Sequence, residues 1–222
     1  MTDEATSGRP PSRDERRAET RRRLLAAARQ VFAAKGFHGA SVEEVAAAAG
    51  YTKGAVYSNF GSKEDLFLAI IDERIADQTA KVEAIGADAD ADPSELEQGL
   101  AEHVRAQFSV TDEEEEGVLG TLALEFILWA ARERPAVREA IAERYRAIDR
   151  QVAEMARTTW GASPLEGGLS PEDIALAQSG LGEGLALRRI VDPEGVDPDR
   201  VVRIFQALLG SPTQAASTNR SA

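Results

Sequence analysis

An all-α chain of about nine helices, split between an N-terminal three-helix unit and a larger helical body, is what this sequence predicts. Three observations predict it. Apolar residues recur at three- and four-residue steps along nearly the whole chain, and no period-2 alternation persists long enough for a strand. Helix starts and stops punctuate those stripes: Ser, Thr or Asp followed by Pro, Glu or Asp at the beginnings, Gly at several ends. A chain of 222 residues suits a small unit joined to a larger one.

The first helix is expected from about Asp14 to Lys35, with Leu24, Leu25, Ala28, Val31 and Phe32 on one stripe and Gly36 as its stop. Ser41-Val42-Glu43-Glu44 reads as a capping box opening a short second helix, which Gly50 ends. Thr52 is placed to cap a third, very short helix, because Phe60-Gly61 interrupts it and Ser62-Lys63-Glu64-Asp65 caps the next. That fourth helix carries Leu66, Phe67, Ile70, Ile71, Ile75 and Val82 to about Ile85. After a linker from Gly86 to Asp92, Asp92-Pro93 opens a fifth helix with Leu96, Leu100, Val104 and Phe108 in register. An acidic turn from Asp112 to Glu116 closes it. The run from Val118 to about Ala131 is apolar on nearly every side, which predicts a central helix surrounded by others. Pro135 restarts the chain to about Trp160, Ser170-Pro171 caps a helix to about Ile190, and Asp197-Pro198 caps a last one through Leu209. The expected organisation is a disordered arm (1–13), a head (14–65), a body (66–210) and a disordered tail (211–222).

Composition excludes several classes of function. There is no cysteine, and His38 and His103 are the two histidines, so no disulfide framework or zinc site of ordinary spacing can be assembled. No Ser-His pairing signal or phosphate loop appears; Gly180-Leu181-Gly182-Glu183-Gly184 follows no strand and lies inside a capped helical pattern. No catalytic residue, metal or cofactor is therefore expected, and the chain does not read as an enzyme. No stretch approaches the roughly 18 apolar residues of a membrane span, and the arginine-rich N-terminus lacks an apolar signal core. A reducing cytoplasmic setting without membrane association is the expectation.

Charge is distributed unevenly. Up to Lys63 there are 11 Lys and Arg against 7 Asp and Glu, whereas the rest holds 15 against 31, within a formal net charge of -12. A basic head before an acidic body suits a head that docks on phosphates and a body that DNA repels. The stretch Ser41 to Phe60 has the form of a helix-turn-helix unit: helix, sharp glycine turn, second short helix. In that unit the second helix enters the major groove of double-stranded DNA. Thr52 and Lys53 bring a hydroxyl and a cation to its first turn, Gly54 removes bulk where backbone approaches DNA, and Tyr57 projects a phenol one turn on, while Val56 points inward.

The run from Leu24 to Phe67 resembles the DNA-binding domain of the TetR family of bacterial repressors, through LLAAARQVFAAKGF, SVEEVAAAAGYTKGAVYSNF and GSKEDLF in the family's order and spacing. The resemblance implies a transcriptional repressor released from its operator by a small-molecule effector; the alternative is a DNA-binding protein of the same fold with no effector, in a constitutive or structural role. It also implies DNA contacts at Thr52, Lys53, Gly54 and Tyr57, with Tyr57 and Lys63 on phosphates, Lys53 nearest base edges and Ser41 adding a phosphate contact. Arg13, Arg16, Arg17 and Arg21 to Arg23 offer a further arm toward phosphates or the minor groove.

One short recognition helix makes too few contacts for tight binding, so a homodimer reading two half-sites is expected. Ala177, Leu181, Gly184 and Leu185 of the eighth helix and Phe205 and Leu208 of the ninth are the interface candidates, combining small residues for close approach with apolar area. The family houses its effector among the middle helices, where His103, Phe108, Glu125, Phe126, Trp129 and Tyr145 are candidates to line a pocket for a small apolar or aromatic compound. Glu125 and His103 are singled out because polar groups on apolar helices need buried partners or a ligand.

Overall fold

A computed structural model describes residues 12–86, 93–109, 115–160 and 169–209; all of the expected linker but Gly86, most of the acidic turn, the tail and all but the last two residues of the arm lie outside them. The described residues form helices α1 (Arg13–Gly39), α2 (Val42–Ala49), α3 (Lys53–Phe60), α4 (Lys63–Gly86), α5 (Pro93–Ser109), α6 (Glu115–Glu133), α7 (Pro135–Trp160), α8 (Pro171–Val191) and α9 (Pro198–Leu209). No strand occurs among them. The chain divides into two compact units, Met1–Ile71 and Asp72–Ala222, with the division falling inside α4.

In the first unit the helices start and stop where local chemistry dictates. Ser12 and Ser41 each accept a hydrogen bond from the backbone N–H three residues on, while Glu15 and Glu44 accept from the cap residues' own N–H groups. Ser12 is therefore a helix cap and Arg13 the first helical residue, which corrects the expected end of the arm. Gly36 breaks α1 with φ 72° and ψ 167°, so Phe37 leaves the helical path and turns back onto Phe32. At the end of α2, Gly50 takes φ 73°, Tyr51 N–H donates to Ala46 at 2.8 Å and Gly50 N–H donates to Ala47 at 3.1 Å. That closure sets the tight turn between α2 and α3.

The first unit's core is aromatic. Phe32 lies 5.2 Å from Phe67 edge-on and 5.9 Å from Phe37 stacked, and Phe37 meets Phe67 at 5.3 Å. Leu24, Val45, Val56 and Leu66 complete it, each fully buried. Leu66 to Ile70 are all buried, which explains why the compact unit extends to Ile71, beyond the expected boundary at residue 65.

In the second unit α7 packs on α8 and α6, and α5 packs on α9. Phe108, Val196 and Val201 form a buried cluster, with Val104, Leu185 and Phe205 packed against it. The Asp72–Gly86 stretch of α4 combines half-buried Ile75, Val82 and Ile85, the last of them against Gly99, with polar contacts. Arg144 of α7 grips Asp72 with two hydrogen bonds of 2.5 and 2.7 Å, Gln107 donates to Gln78 at 2.9 Å, and Gln151 reaches both Thr79 and Glu83. Arg74 lies against Gly120, where a β-carbon would come within 2.9 Å of its guanidinium. One expectation fails here: α6 is not enclosed on every side, because Leu128 is 65 % exposed and Glu125 is exposed as well. An all-round apolar sequence carries no phase, so periodicity alone does not reveal the open side.

Candidate nucleic-acid interface

The eight residues of α3 have two unlike faces. Val56 and Phe60 are buried and fix the helix on the first unit's core, whereas Lys53, Gly54, Tyr57 and Ser58 are exposed, with Thr52 exposed at the cap position. Four-residue spacing of the buried pair dictates this: Val56 and Phe60 share one side, so residues 53, 54, 57 and 58 occupy another. Thr52 has the extended backbone of a cap, yet its hydroxyl makes no capping hydrogen bond, which corrects the expected cap and leaves that oxygen at the helix start available. Lys53 pairs with Glu43 of α2, and its ammonium lies 5.6 Å from the Tyr57 ring centroid. The carboxylate raises the ammonium's pKa, and the ammonium in turn lowers that of Glu43.

Two other expected DNA contacts are placed less openly. Ser41 is half-buried with its hydroxyl engaged by the Glu44 N–H at 3.2 Å. Lys63 lies with its ammonium 4.7 Å from the Phe37 ring centroid, and burial pushes its pKa down against the raising effect of Glu64 and Glu44. Both residues have structural work within the first unit.

Six of the seven arginines of α1 sort into two sets, a distinction the sequence did not make. Arg21 donates to the Asn59 carbonyl at 3.0 Å and stacks over Phe60 at 4.3 Å, tying α1 to the end of α3. Arg22 and Arg23 both pair with Glu19. Arg13, Arg16 and Arg17 have no carboxylate partner among the described residues, and Arg13 and Arg17 line an open cleft of about 550 Å³ with Asp14, Ser58 and Asn59. One helical turn separates Arg13 from Arg17, so their guanidinium groups share a face beside the exposed Ser58.

The six effector candidates occupy separate surroundings. Phe108 belongs to the α5–α9 cluster. His103 is half-buried, 3.0 Å from Gln107 Nε2, with its pKa lowered by burial and by Lys81. Tyr145 hydrogen-bonds Glu183 of α8, and burial together with that carboxylate raises the phenol's pKa. Phe126 and Trp129 do meet, at 5.6 Å, while the Trp129 indole donates to Glu133 at 2.9 Å. Glu125 is exposed, so the argument that it needs a buried partner lapses.

The interface candidates divide similarly. Leu185 and Phe205 are half-buried and pack against the chain's own cluster. Leu181 is half-buried, Ala177 and Gly184 are exposed, and the side chain of Leu208 lies outside the described residues. Beside the expected Gly184, α8 exposes three apolar residues absent from the expected set, Leu176 (66 %), Leu187 (52 %) and Val191 (82 %), with Gly180 and Gly184 between them and open space where their β-carbons would be. At 100° per residue these five span about 80° of the helix surface. The signal was present in the spacing, but small and apolar residues crowd every side of α8.

Among the described residues no helix is long and apolar enough to cross a membrane, and no group of three or more His, Asp or Glu could hold a metal ion.

Comparison with known proteins agrees with this geometry. Residues 24–70 match the N-terminal profile of bacterial regulatory proteins of the tetR family, and residues 96–211 match the C-terminal profile of BetI-type transcriptional repressors. The transcriptional repressor AcnR of Corynebacterium glutamicum is 42% identical over 57 residues, 26% of this chain and 30% of that protein. The chain's matches to the first curated relatives span only 26–30% of those proteins' length. Among solved structures, a transcriptional regulator from Rhodococcus sp. RHA1 superposes with a TM-score of 0.66 at 21% identity, covering 86% of this chain and 95% of that one. The SmeT–triclosan complex superposes at 0.64 and 22% identity, covering 85% and 90%. These likenesses at low identity show the shared fold, and the profiles show the lineage. The chain belongs to the TetR family of bacterial regulatory proteins.

Proposed function

We propose that this protein is a dimeric repressor that inserts α3 of each copy into the major groove of an operator and leaves it when a small molecule binds the body. The carrying observation is the exposed face of α3, with Lys53, Gly54, Tyr57 and Ser58 outward while Val56 and Phe60 anchor it. Repression as the output is supported by the match to a repressor-type C-terminal profile. Pairing through α8 is supported by its exposed apolar stripe. An apolar or aromatic effector is supported by the likeness to SmeT, whose complex holds triclosan, and by the Phe126–Trp129 pair on α6. The coupling element in this proposal is α4, one continuous helix with residues in both compact units.

Footprinting on DNA upstream of the protein's own gene tests the reading. A protected, approximately two-fold symmetric site is expected, along with Tyr57→Ala weakening all DNA binding about tenfold without altering its salt dependence, because tyrosine releases no counterion. Absence of protection, or an unaffected Tyr57→Ala variant, would remove the groove assignment. On the same DNA the Arg13→Ala, Arg17→Ala double variant is expected to lower the slope of log affinity against log salt by about 1.8, since each phosphate neutralised contributes about 0.9. An unchanged slope would show that the α1–α3 cleft lies off the duplex.

A second reading, a regulator of the same fold with no effector, is favoured by the scattered surroundings of the six pocket candidates. Screening compounds for release of the footprinted DNA separates the two: release by any of them, reduced by Trp129→Ala, favours the ligand-responsive form.

A further inference from the structure

Both acids in the first turn of α2 engage lysines, but they do different jobs. Glu44 completes the capping box with Ser41 and pairs with Lys35 at 2.5 Å, so it stabilises α2 and ties it to α1. Glu43 caps nothing. Its carboxylate is 57 % exposed and its lysine partner is Lys53, the first residue of α3, itself 51 % exposed. A pair so open to solvent contributes little to stability. An acid beside a phosphate-facing surface also weakens attraction to DNA of any sequence. A residue that adds little stability and opposes DNA binding is informative when it holds the one lysine of the recognition helix.

Lysine is a flexible point charge with three N–H donors on a four-carbon stem. Left unrestrained at the start of a groove helix, its ammonium reaches whichever phosphate is nearest, a contact that carries no sequence information. Resting on the reading of α3 as the groove helix, we propose that Glu43 is a positioning residue for specificity. One Lys53 N–H is held by Glu43 and the ammonium lies 5.6 Å from the Tyr57 ring centroid. Two donors then remain for the paired acceptors of a guanine edge, O6 and N7. Lys53 stays on Glu43 while it reads the base, so the specific complex does not have to break the pair, whereas a swing to phosphate does.

The test uses the full chain and a pool of random-sequence 30-bp duplexes. Wild-type protein selects a preferred duplex from the pool, and affinities for that duplex and for one unselected duplex are then measured with wild type, Glu43→Gln, Lys53→Met and the double variant, across a salt series. Glu43→Gln is expected to bind the unselected duplex about fivefold more tightly at 0.15 M salt, with the slope steeper by about 0.9, the effect of one added phosphate contact. Affinity for the preferred duplex stays within about twofold, so discrimination falls about fivefold. In the Lys53→Met background, Glu43→Gln changes neither quantity. Equal gains on both duplexes, or the same gain without Lys53, would mean that Glu43 acts only by repelling phosphates and overturn the proposal; no change at all also overturns it. If wild type selects no preferred duplex, the underlying reading of α3 fails, and this role for Glu43 fails with it. Both side chains are exposed, and a thermal melt of each variant separates a folding defect from a binding one.

Discussion

Replacing Phe32 with alanine is expected to unfold the N-terminal unit and abolish DNA binding. The ring is 1 % exposed and touches both Phe37 and Phe67, so three elements close on one side chain: α1, the turn after Gly36, and α4. Truncating a buried phenylalanine costs about 3–5 kcal/mol through lost transfer free energy and the cavity left behind. A unit of some 60 residues has a small core and little stability in reserve, so a loss of that size is comparable with the total. Circular dichroism melting should show an early transition absent from wild type, and limited proteolysis should cut within residues 12–71 first. A variant that melts like wild type would show that the aromatic triad is not the unit's main support.

The second large effect is expected at α8. Under the proposed pairing, Leu187→Glu places a charge in the middle of the exposed stripe, and a two-fold interface meets that charge twice. Losing the burial of two leucines alone amounts to about 3–6 kcal/mol, which corresponds to a dimer dissociation constant raised at least a hundredfold. Sedimentation at micromolar concentration should then find monomers, and operator affinity should fall by a comparable factor because each half-site binds alone. Gly180→Trp provides an independent check. Nothing of the chain's own lies within 4 Å of a β-carbon there, so the monomer should fold normally while close approach of a second copy is blocked. Intact dimers in both variants would move the interface to another surface.

The parts of this molecule that were legible in its sequence are those set by residues near one another in the chain. Capping boxes at Ser41 and Ser170, the αL glycine at 50 and prolines in the first turns of α5, α7, α8 and α9 each act within a few residues, and the helices follow from them. The outward face of α3 was legible for the same reason, since Val56 and Phe60 set its phase. Choices between equivalent side chains were not legible. Arg21 finds Asn59 across 38 residues, and the arginines of the first three turns of α1 look alike until that bond and the Glu19 pairs withdraw three of them. Glu43 and Lys53 likewise meet only because the Gly50 turn folds α3 against α2. The body resisted for another reason: α6 and α8 carry apolar or small residues on every side, so Glu125, Leu128 and Leu187 could not be assigned a direction before their neighbours were known.

The unlike fastenings of α4 have a consequence for how the two units can change. Where Leu66 to Ile70 interlock with close-packed rings, a displacement of even a methyl's width opens voids, and few substitutions fit. Farther along, Asp72, Gln78, Thr79 and Glu83 are joined to their neighbours by long polar side chains whose places water molecules can take without leaving a hole. One helix is thus seated among close-packed rings over its first two turns and joined beyond them by polar side chains beside half-buried apolar ones. Substitutions in the later stretch are therefore expected to be tolerated more readily than those at Leu66 to Ile70.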